Sequence, residues 1–191
     1  MGYFKDLREH IAALDQAGLL VRIDEQINKD TELMPLVRWQ FRGLSEEERR
    51  AFMFTNVVDA KGNKYDIPVV VGTLAASRQI YGFGLQCKPE EIVDRWNKAQ
   101  SHPVPPKIVD SAPVHEVIYM GSSLMDKGGL GEFPIPISTP GYDCAPFTTA
   151  SHWFTRDPET RNINIGNYRG HINNPTRTGV FLSSSNHGGY H

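Results

Sequence analysis

The sequence lacks the features that mark secreted, zinc-binding, nucleic-acid-binding or membrane-spanning proteins. Its two cysteines, Cys87 and Cys144, do not have the spacing of a zinc or redox motif, which favours a reducing cytosol. No apolar run approaches the roughly 20 residues of a membrane span, and the first ten residues are too charged for a signal peptide. With 20 basic and 22 acidic residues, the chain is not expected to bind nucleic acid or anionic membrane. We therefore expect a soluble, cytoplasmic protein.

The first 112 residues carry alternating helical and strand patterns. Apolar spacing predicts helices at 3–17, 30–40, 45–50, 77–81 and 89–99, and buried strands at 19–23, 51–57 and 67–72. Gly18 is expected to end the first helix, and Ser45 and Glu48 have the spacing of a capping box. The stretch 82–87 begins like a dinucleotide loop but lacks a third glycine and a preceding strand, so we expect an ordinary loop. These patterns predict an N-terminal α/β domain over residues 1–112.

The pattern changes after a proline-rich stretch at 101–113, which marks a boundary. Beyond it, turns separate short strands that are predicted at 114–120, 147–155, 161–172 and 178–186. Alternating prolines at 132–140 predict an extended surface segment rather than a central strand. The strands are too few to close a barrel. We therefore predict an α+β fold, in which the α/β domain is followed over 113–191 by an incomplete antiparallel β-barrel or sandwich.

Two short motifs near the end of the sequence are the best candidates for a functional site. The turn at 173–177 predicts an antiparallel hairpin between 161–172 and 178–186, and this pairing would place Asn164 beside His187. Strand alternation puts Asn164 and Arg169 on opposite faces, so a bulge at Gly166 is expected if both serve one site. The alternative is an ordinary hairpin with a polar, solvent-facing side.

An amide oxygen and an imidazole nitrogen suit Mn²⁺ or Mg²⁺ better than a thiolate-seeking metal. The nearest acids, Asp157 and Glu159, lie in a turn that we interpret as structural, so the metal site is expected to be incomplete on this chain. On a helix, His187 and His191 would lie on one face and could bind zinc, but the two glycines between them disfavour a helix, so we do not expect a zinc site there. The other histidines that we considered are expected to be structural: His10, His102, His115 and His152.

The motif at 164–169, followed by His187-Gly188-Gly189, resembles the central signature of the UbiD family of decarboxylases that use prenylated FMN. Further segments agree in the family's order, at 4–7, 18–23, 68–72, 133–136 and 155–159, so the resemblance covers nearly the whole chain. It implies that the unfinished barrel is part of a split β-barrel of flavin-binding type. It also implies assembly into an oligomer and a carboxylic acid as the small-molecule substrate.

The resemblance implies roles for individual residues. Asn164 and His187 match two of the three protein ligands that hold a divalent metal, usually Mn²⁺, against the cofactor phosphate, and K⁺ is a further candidate ion. Arg169 matches the arginine that binds the substrate carboxylate, which a guanidinium can hold bidentately until it leaves as neutral CO₂. The residues expected to contact the flavin are Asn164, Gly166, Asn167, Tyr168, Arg169, Ser184, Ser185, Asn186, His187 and Gly188.

The third metal ligand and the acids of the family's Glu-Arg-Glu network are expected beyond His191. We therefore expect either a fragment of a longer enzyme or one subunit of a split enzyme, inactive until another polypeptide or chain segment completes the barrel. The expected activity is that of a carboxy-lyase acting on an aromatic or α,β-unsaturated acid. The alternative, from a different class, is a non-catalytic binding or regulatory subunit that retains half of a flavin site.

Overall fold

The computed structural model describes residues 3–191, which form two compact units. The first unit comprises the chain up to Ile27 together with residues 36–57 and 66–118, and the second comprises residues 28–35, 58–65 and 119–191. The helices are α1 (Leu7–Gln16), α2 (Leu33–Gly43), α3 (Arg78–Leu85), α4 (Ile92–Ser101) and α5 (His187–Tyr190). The strands are β1 (Leu20–Ile23), β2 (Ile27–Asn28), β3 (Ala51–Phe54), β4 (Val57–Val58), β5 (Lys64–Tyr65), β6 (Val69–Val71), β7 (Phe147–Thr148), β8 (His152–Arg156), β9 (Ile163–Asn167), β10 (Gly170–Asn174) and β11 (Arg177–Val180). Within the described residues, no helix is both long and apolar enough to cross a membrane.

A three-stranded mixed sheet lies at the centre of the first unit. Its order is β1-β3-β6, with β1 parallel to β3 and β3 antiparallel to β6. Leu20 and Ala51 of this sheet pack in one core with Leu14 of α1 and Ile80 of α3. The mixture of helices and strands predicted from the sequence is therefore confirmed.

The local signals for helix ends in the first unit are also confirmed. Gly18 follows α1 with a φ of +67°, the left-handed conformation that glycine adopts without strain. The Ser45 amide donates to the Glu48 carboxylate at 3.0 Å, although this capping box opens a single 3₁₀ turn rather than a longer helix. The structural interpretation of His10 is confirmed too, since its Nε2 lies 2.8 Å from the Thr73 carbonyl in a buried position.

Two predictions in the first unit were wrong. The stretch 82–87 is largely helical because α3, capped by Ser77, continues to Leu85. Gly82 serves packing rather than a loop: a Cβ there would lie 2.7 Å from the Cys87 carbonyl oxygen. The predicted strand at 114–120 is instead a 3₁₀ turn at Pro113–His115 followed by irregular chain, and Val114 is 78% exposed. A proline at the first position of a turn favours helical geometry over a strand ladder.

Residues 147–180 of the second unit form two small antiparallel sheets, where the sequence predicted one long hairpin. β10 pairs with both β11 and β7, and β8 pairs with β9. The predicted hairpin is therefore confirmed for β10 and β11 alone, where Gly170 lies opposite Val180. Residues 163–167 pair with β8 instead. The strand that was predicted to run to residue 186 ends at Val180.

The strand is interrupted between β9 and β10 because the backbone there forms hydrogen bonds with other partners. The Tyr168 carbonyl accepts hydrogen bonds from the Ser151 hydroxyl at 3.0 Å and from the Trp153 indole at 2.9 Å. Gly170, the first residue of β10, is buried, and a Cβ there would lie 2.5 Å from the Thr148 hydroxyl. These contacts divide the predicted strand at 161–172 into two strands that belong to different sheets.

Candidate functional site

Asn164 and His187 lie side by side in the second unit. The His187 Nδ1 is 3.3 Å from the Asn164 Oδ1, so the predicted juxtaposition is confirmed. Strand pairing does not produce it. The chain turns at residues 183–186 and enters α5, where the Asn186 side chain caps the helix by accepting from the Gly189 amide at 2.8 Å. The short helix carries His187 to Asn164 on β9.

Thr155 fixes the orientation of the Asn164 amide. It lies directly opposite Asn164 in the β8–β9 pair, and its hydroxyl is 3.4 Å from Asn164 Nδ2 and 2.9 Å from His191 Nδ1. With Nδ2 directed to Thr155, the amide oxygen faces His187. No local sequence pattern identifies Thr155 as a neighbour of Asn164, because a residue nine positions earlier becomes a neighbour only through the strand register.

The two C-terminal histidines share a helical turn despite the glycines between them. The His191 amide donates to the His187 carbonyl at 2.9 Å, and a short helix forms at His187–Tyr190 although the two glycines were expected to disfavour one. The ring centroids of His187 and His191 are 6.4 Å apart. The Nδ1 atom of His191 contacts Thr155 rather than His187. Among residues 3–191, no group of three or more His, Cys, Asp or Glu side chains is arranged to hold a metal ion.

Tyr168 packs its ring against two glycines. A Cβ on Gly166 would lie 2.6 Å from the ring, and a Cβ on Gly188 would lie 2.8 Å from the tyrosine hydroxyl. That hydroxyl accepts a hydrogen bond from the Gly188 amide at 3.1 Å. The bulge expected at Gly166 is wrong, since Gly166 stays in register opposite Trp153. Its lack of a side chain instead makes room for Tyr168.

Arg169 follows Tyr168 and is held by two residues that the sequence did not indicate. Its Nη2 is 2.9 Å from the Asp143 Oδ1, and its guanidinium carbon lies 4.0 Å from the centroid of the Phe147 ring. The hydrogen bond from Arg169 keeps the pKa of Asp143 below its ordinary value, and the arginine charge adds to this effect. Asp143 is 26 residues away in sequence, so no local spacing could reveal the contact.

The structural interpretation of the turn at 155–160 is confirmed. Asp157 accepts hydrogen bonds from the amides of Glu159 and Thr160 at 2.8 and 3.0 Å. These amides stabilise the charged carboxylate and lower the pKa of Asp157. The Asp157 side chain therefore stabilises the turn that joins β8 and β9.

The remaining predicted contact residues lie at different places. Ser185 belongs to the turn before α5, where its amide and hydroxyl both contact the Ser183 hydroxyl, and Ser184 is exposed. Asn167 lies opposite His152, out of phase with Asn164 along β9. It therefore belongs to the other face of the β8–β9 sheet.

That other face, which also carries His152 and Arg156, exposes three apolar side chains of β8 and β9. Phe154, Ile163 and Ile165 are 70%, 52% and 56% exposed, and we call these three side chains the outer face. Two-stranded sheets are marginally stable by themselves. Large exposed apolar patches are characteristic of surfaces that contact other protein.

Two family models match successive parts of the chain. Residues 11–100 match the N-terminal domain of 3-octaprenyl-4-hydroxybenzoate carboxy-lyase, UbiD. Residues 107–191 match the Rift-related domain of the same carboxy-lyase family.

Solved structures of decarboxylases and of a UbiD-class enzyme are similar to most of the chain. An evolved dimeric form of HmfF from Pelotomaculum thermopropionicum, in complex with prFMN, is 27% identical with a TM-score of 0.77 over 94% of this chain and 39% of its own. The HmfF enzyme in complex with FMN is 27% identical with a TM-score of 0.75, over 93% and 36%. Apo 3,4-dihydroxybenzoic acid decarboxylase from Klebsiella pneumoniae is 25% identical with a TM-score of 0.77, over 96% and 38%. The chain thus spans less than two fifths of each of these three structures.

Proposed function

Because the chain belongs to the UbiD family of carboxy-lyases, to whose N-terminal portion it corresponds, we propose that it is part or a subunit of a decarboxylase that uses prenylated FMN and a divalent metal. The proposed substrate is an aromatic or α,β-unsaturated carboxylic acid. The observation that carries the proposal is the pairing of Asn164 Oδ1 with His187 Nδ1 at 3.3 Å, in a chain whose structural neighbours include enzymes with bound FMN or prFMN.

The donor set fits part of a divalent-metal site. Adjacent ligands of an octahedral ion with bonds of about 2.1 Å are about 3 Å apart, close to the observed separation of Asn164 Oδ1 and His187 Nδ1. Oxygen and imidazole donors favour Mn²⁺, with Mg²⁺ as the alternative, and K⁺ is a further candidate. A carboxylate and phosphate oxygens would have to complete the coordination sphere. We propose Asn164 and His187 as this chain's contribution.

Tyr168 packs its ring against Gly166, which lies on the same face of β9 as Asn164, and against Gly188, which follows His187. The ring is therefore next to the proposed metal ligands. We propose that Gly166, Tyr168 and Gly188 line the flavin site. The full set proposed to contact the flavin or its phosphate also includes Asn164, Asn167, Arg169, Ser184, Ser185, Asn186 and His187.

Arg169 is proposed to bind the substrate carboxylate. Half of its side chain is exposed, and a guanidinium can form two parallel hydrogen bonds to a carboxylate. Loss of CO₂ removes the negative charge, so the product would be held less strongly than the substrate. When bound, prenylated FMN would supply the electron sink for decarboxylation. Arg169 would orient the acid for that chemistry.

We further propose that another polypeptide or chain segment completes the site. The three structural neighbours described above are more than twice as long as this chain, and the outer face of Phe154, Ile163 and Ile165 is exposed in the part of the chain that the structure describes. The second part of the chain, 113–191, would then be a portion of a split flavin-binding barrel after a domain at 1–112. The chain alone would be inactive, and the working enzyme would be a cytoplasmic oligomer.

Reconstitution tests the proposal. The tagged chain is used to isolate its partner from a native extract, and the two are combined with Mn²⁺, prenylated FMN and a panel of acids that includes 3,4-dihydroxybenzoate. We expect CO₂ release from the mixture but not from the chain alone. Arg169→Gln should lower turnover by about 100-fold or more, the typical cost of losing one charge-stabilising donor.

A matched control uses Arg177, which lies opposite Asn174 in the β10–β11 pair and is exposed. Arg177→Gln removes the same charge and should leave turnover near the wild-type value. Tight cofactor binding and turnover by the isolated chain would contradict the requirement for a partner. Near-normal turnover of Arg169→Gln would remove Arg169 from substrate binding.

A further inference from the structure

The guanidinium of Arg169 is already held on one edge and one face. Asp143 Oδ1 takes one hydrogen bond from Nη2 at 2.9 Å, and the Phe147 ring lies below the guanidinium at 4.0 Å. A guanidinium carries five N–H donors in a fixed plane. A single contact with Asp143 leaves most of these donors for a ligand, and the arginine side chain is 50% exposed.

Asp143 is also held in place by hydrogen bonds that do not involve Arg169. Its second carboxylate oxygen, Oδ2, accepts from the Thr139 amide at 2.8 Å, and its own amide donates to the Thr139 carbonyl at 2.9 Å. The Asp143 side chain is 14% exposed, against 50% for its partner. The fixed member of the ion pair is therefore the aspartate, and the arginine is the member that it positions.

We propose that Asp143 and Phe147 hold the Arg169 guanidinium in a binding-ready orientation before a carboxylic acid arrives, so that Asp143 is a positioning residue of the substrate site. The inference deepens the proposed role of Arg169 and rests on it. A free arginine has many rotamers, and ordering one such side chain on binding lowers affinity by about 2- to 10-fold. Holding Arg169 in advance removes that loss.

The first test measures the pairing in the unliganded chain by NMR. The Asp143 carboxyl carbon should titrate below the range of a free aspartate in the wild type, and Arg169→Gln should raise its midpoint. Asp157 is an internal control, since the amides of Glu159 and Thr160 hold its carboxylate and its midpoint should not move. An Asp143 midpoint that is the same with and without Arg169 would overturn the proposal.

The second test measures carboxylate affinity with benzoate as the probe, followed through the Arg169 Nε–H resonance of the chain. We expect Asp143→Asn to weaken benzoate binding by about 2- to 10-fold, whereas Glu159→Gln, which removes one exposed negative charge elsewhere, should have no effect. Unchanged or tighter binding in Asp143→Asn would overturn the proposal, as would no response in the wild type. Failure of the reconstituted enzyme to release CO₂, with both NMR results as expected, would instead count against the proposed function.

Discussion

Gly188 is the residue on which the geometry of the candidate site depends most directly. It is buried in α5, between His187 and Gly189, and its amide donates to the Tyr168 hydroxyl at 3.1 Å. A methyl group at this position would lie 2.8 Å from that hydroxyl and 2.9 Å from the ring carbon that carries it. The substitution Gly188→Ala therefore tests whether close packing of Tyr168 holds the site together.

Two effects of opposite sign decide the outcome. Alanine in a helix interior is favoured over glycine by about 1 kcal/mol. Against this, forcing a methyl group into a filled space costs about 1–3 kcal/mol, and weakening the hydrogen bond to Tyr168 costs about 1 kcal/mol more. The ring cannot easily yield, since it also lies against Gly166. We expect a net loss of about 1–3 kcal/mol in the free energy of unfolding.

Urea unfolding followed by tryptophan fluorescence measures the effect. In a background with Trp39→Phe and Trp96→Phe, Trp153 is the one remaining tryptophan of the sequence, and it lies in the second unit. Gly131→Ala is the matched control, because a Cβ at Gly131 would meet nothing within 4 Å. A Gly188→Ala protein as stable as wild type, or more stable, would refute the argument that Tyr168 fills this space.

Much of the first unit could be predicted because its signals are local. The helical stripe that ends at Gly18 and the capping box at Ser45 each involve residues a few positions apart, and both occur as expected. The prediction failed at α3, where Gly82 suggested a loop. Gly82 is required because the Cys87 carbonyl oxygen lies too close to leave room for a side chain. This contact forms only when the chain folds back after the helix, so the sequence pattern does not reveal it.

The site shows the same division between local and long-range information. Asn164 and His187 were predicted to meet, and they do, but the part of the hairpin that was expected to join them is wrong. β9 pairs with β8 rather than with the chain after the turn. Strand choice depends on competing long-range partners, so turn residues alone could not decide it. Asp143 and Phe147 were missed for the same reason: both are distant from Arg169 in sequence, and their contacts with it form only when the chain folds.

Two further predictions concern side chains that hold others in place. Thr155→Val removes the hydroxyl that orients Asn164. In the reconstituted protein it should weaken Mn²⁺ binding by about 10-fold, as the loss of a residue that orients a metal ligand typically does, whereas Thr155→Ser should retain binding. Wild-type Mn²⁺ affinity of Thr155→Val in calorimetry would contradict this. Burial raises the pKa of Asp59, but hydrogen bonds from Asn63 and neighbouring groups outweigh that effect and leave it below the ordinary value. The folded state therefore binds fewer protons than the unfolded state, and the stabilisation is present above the unfolded pKa and lost as pH falls through the folded one. The stability advantage of wild type over Asp59→Asn should accordingly shrink in urea titrations carried from pH 5 towards pH 3, while Asp110→Asn, at an exposed position, should show no such trend. A difference between wild type and Asp59→Asn that stays constant over this interval would mean that the charge of Asp59 does not stabilise its turn.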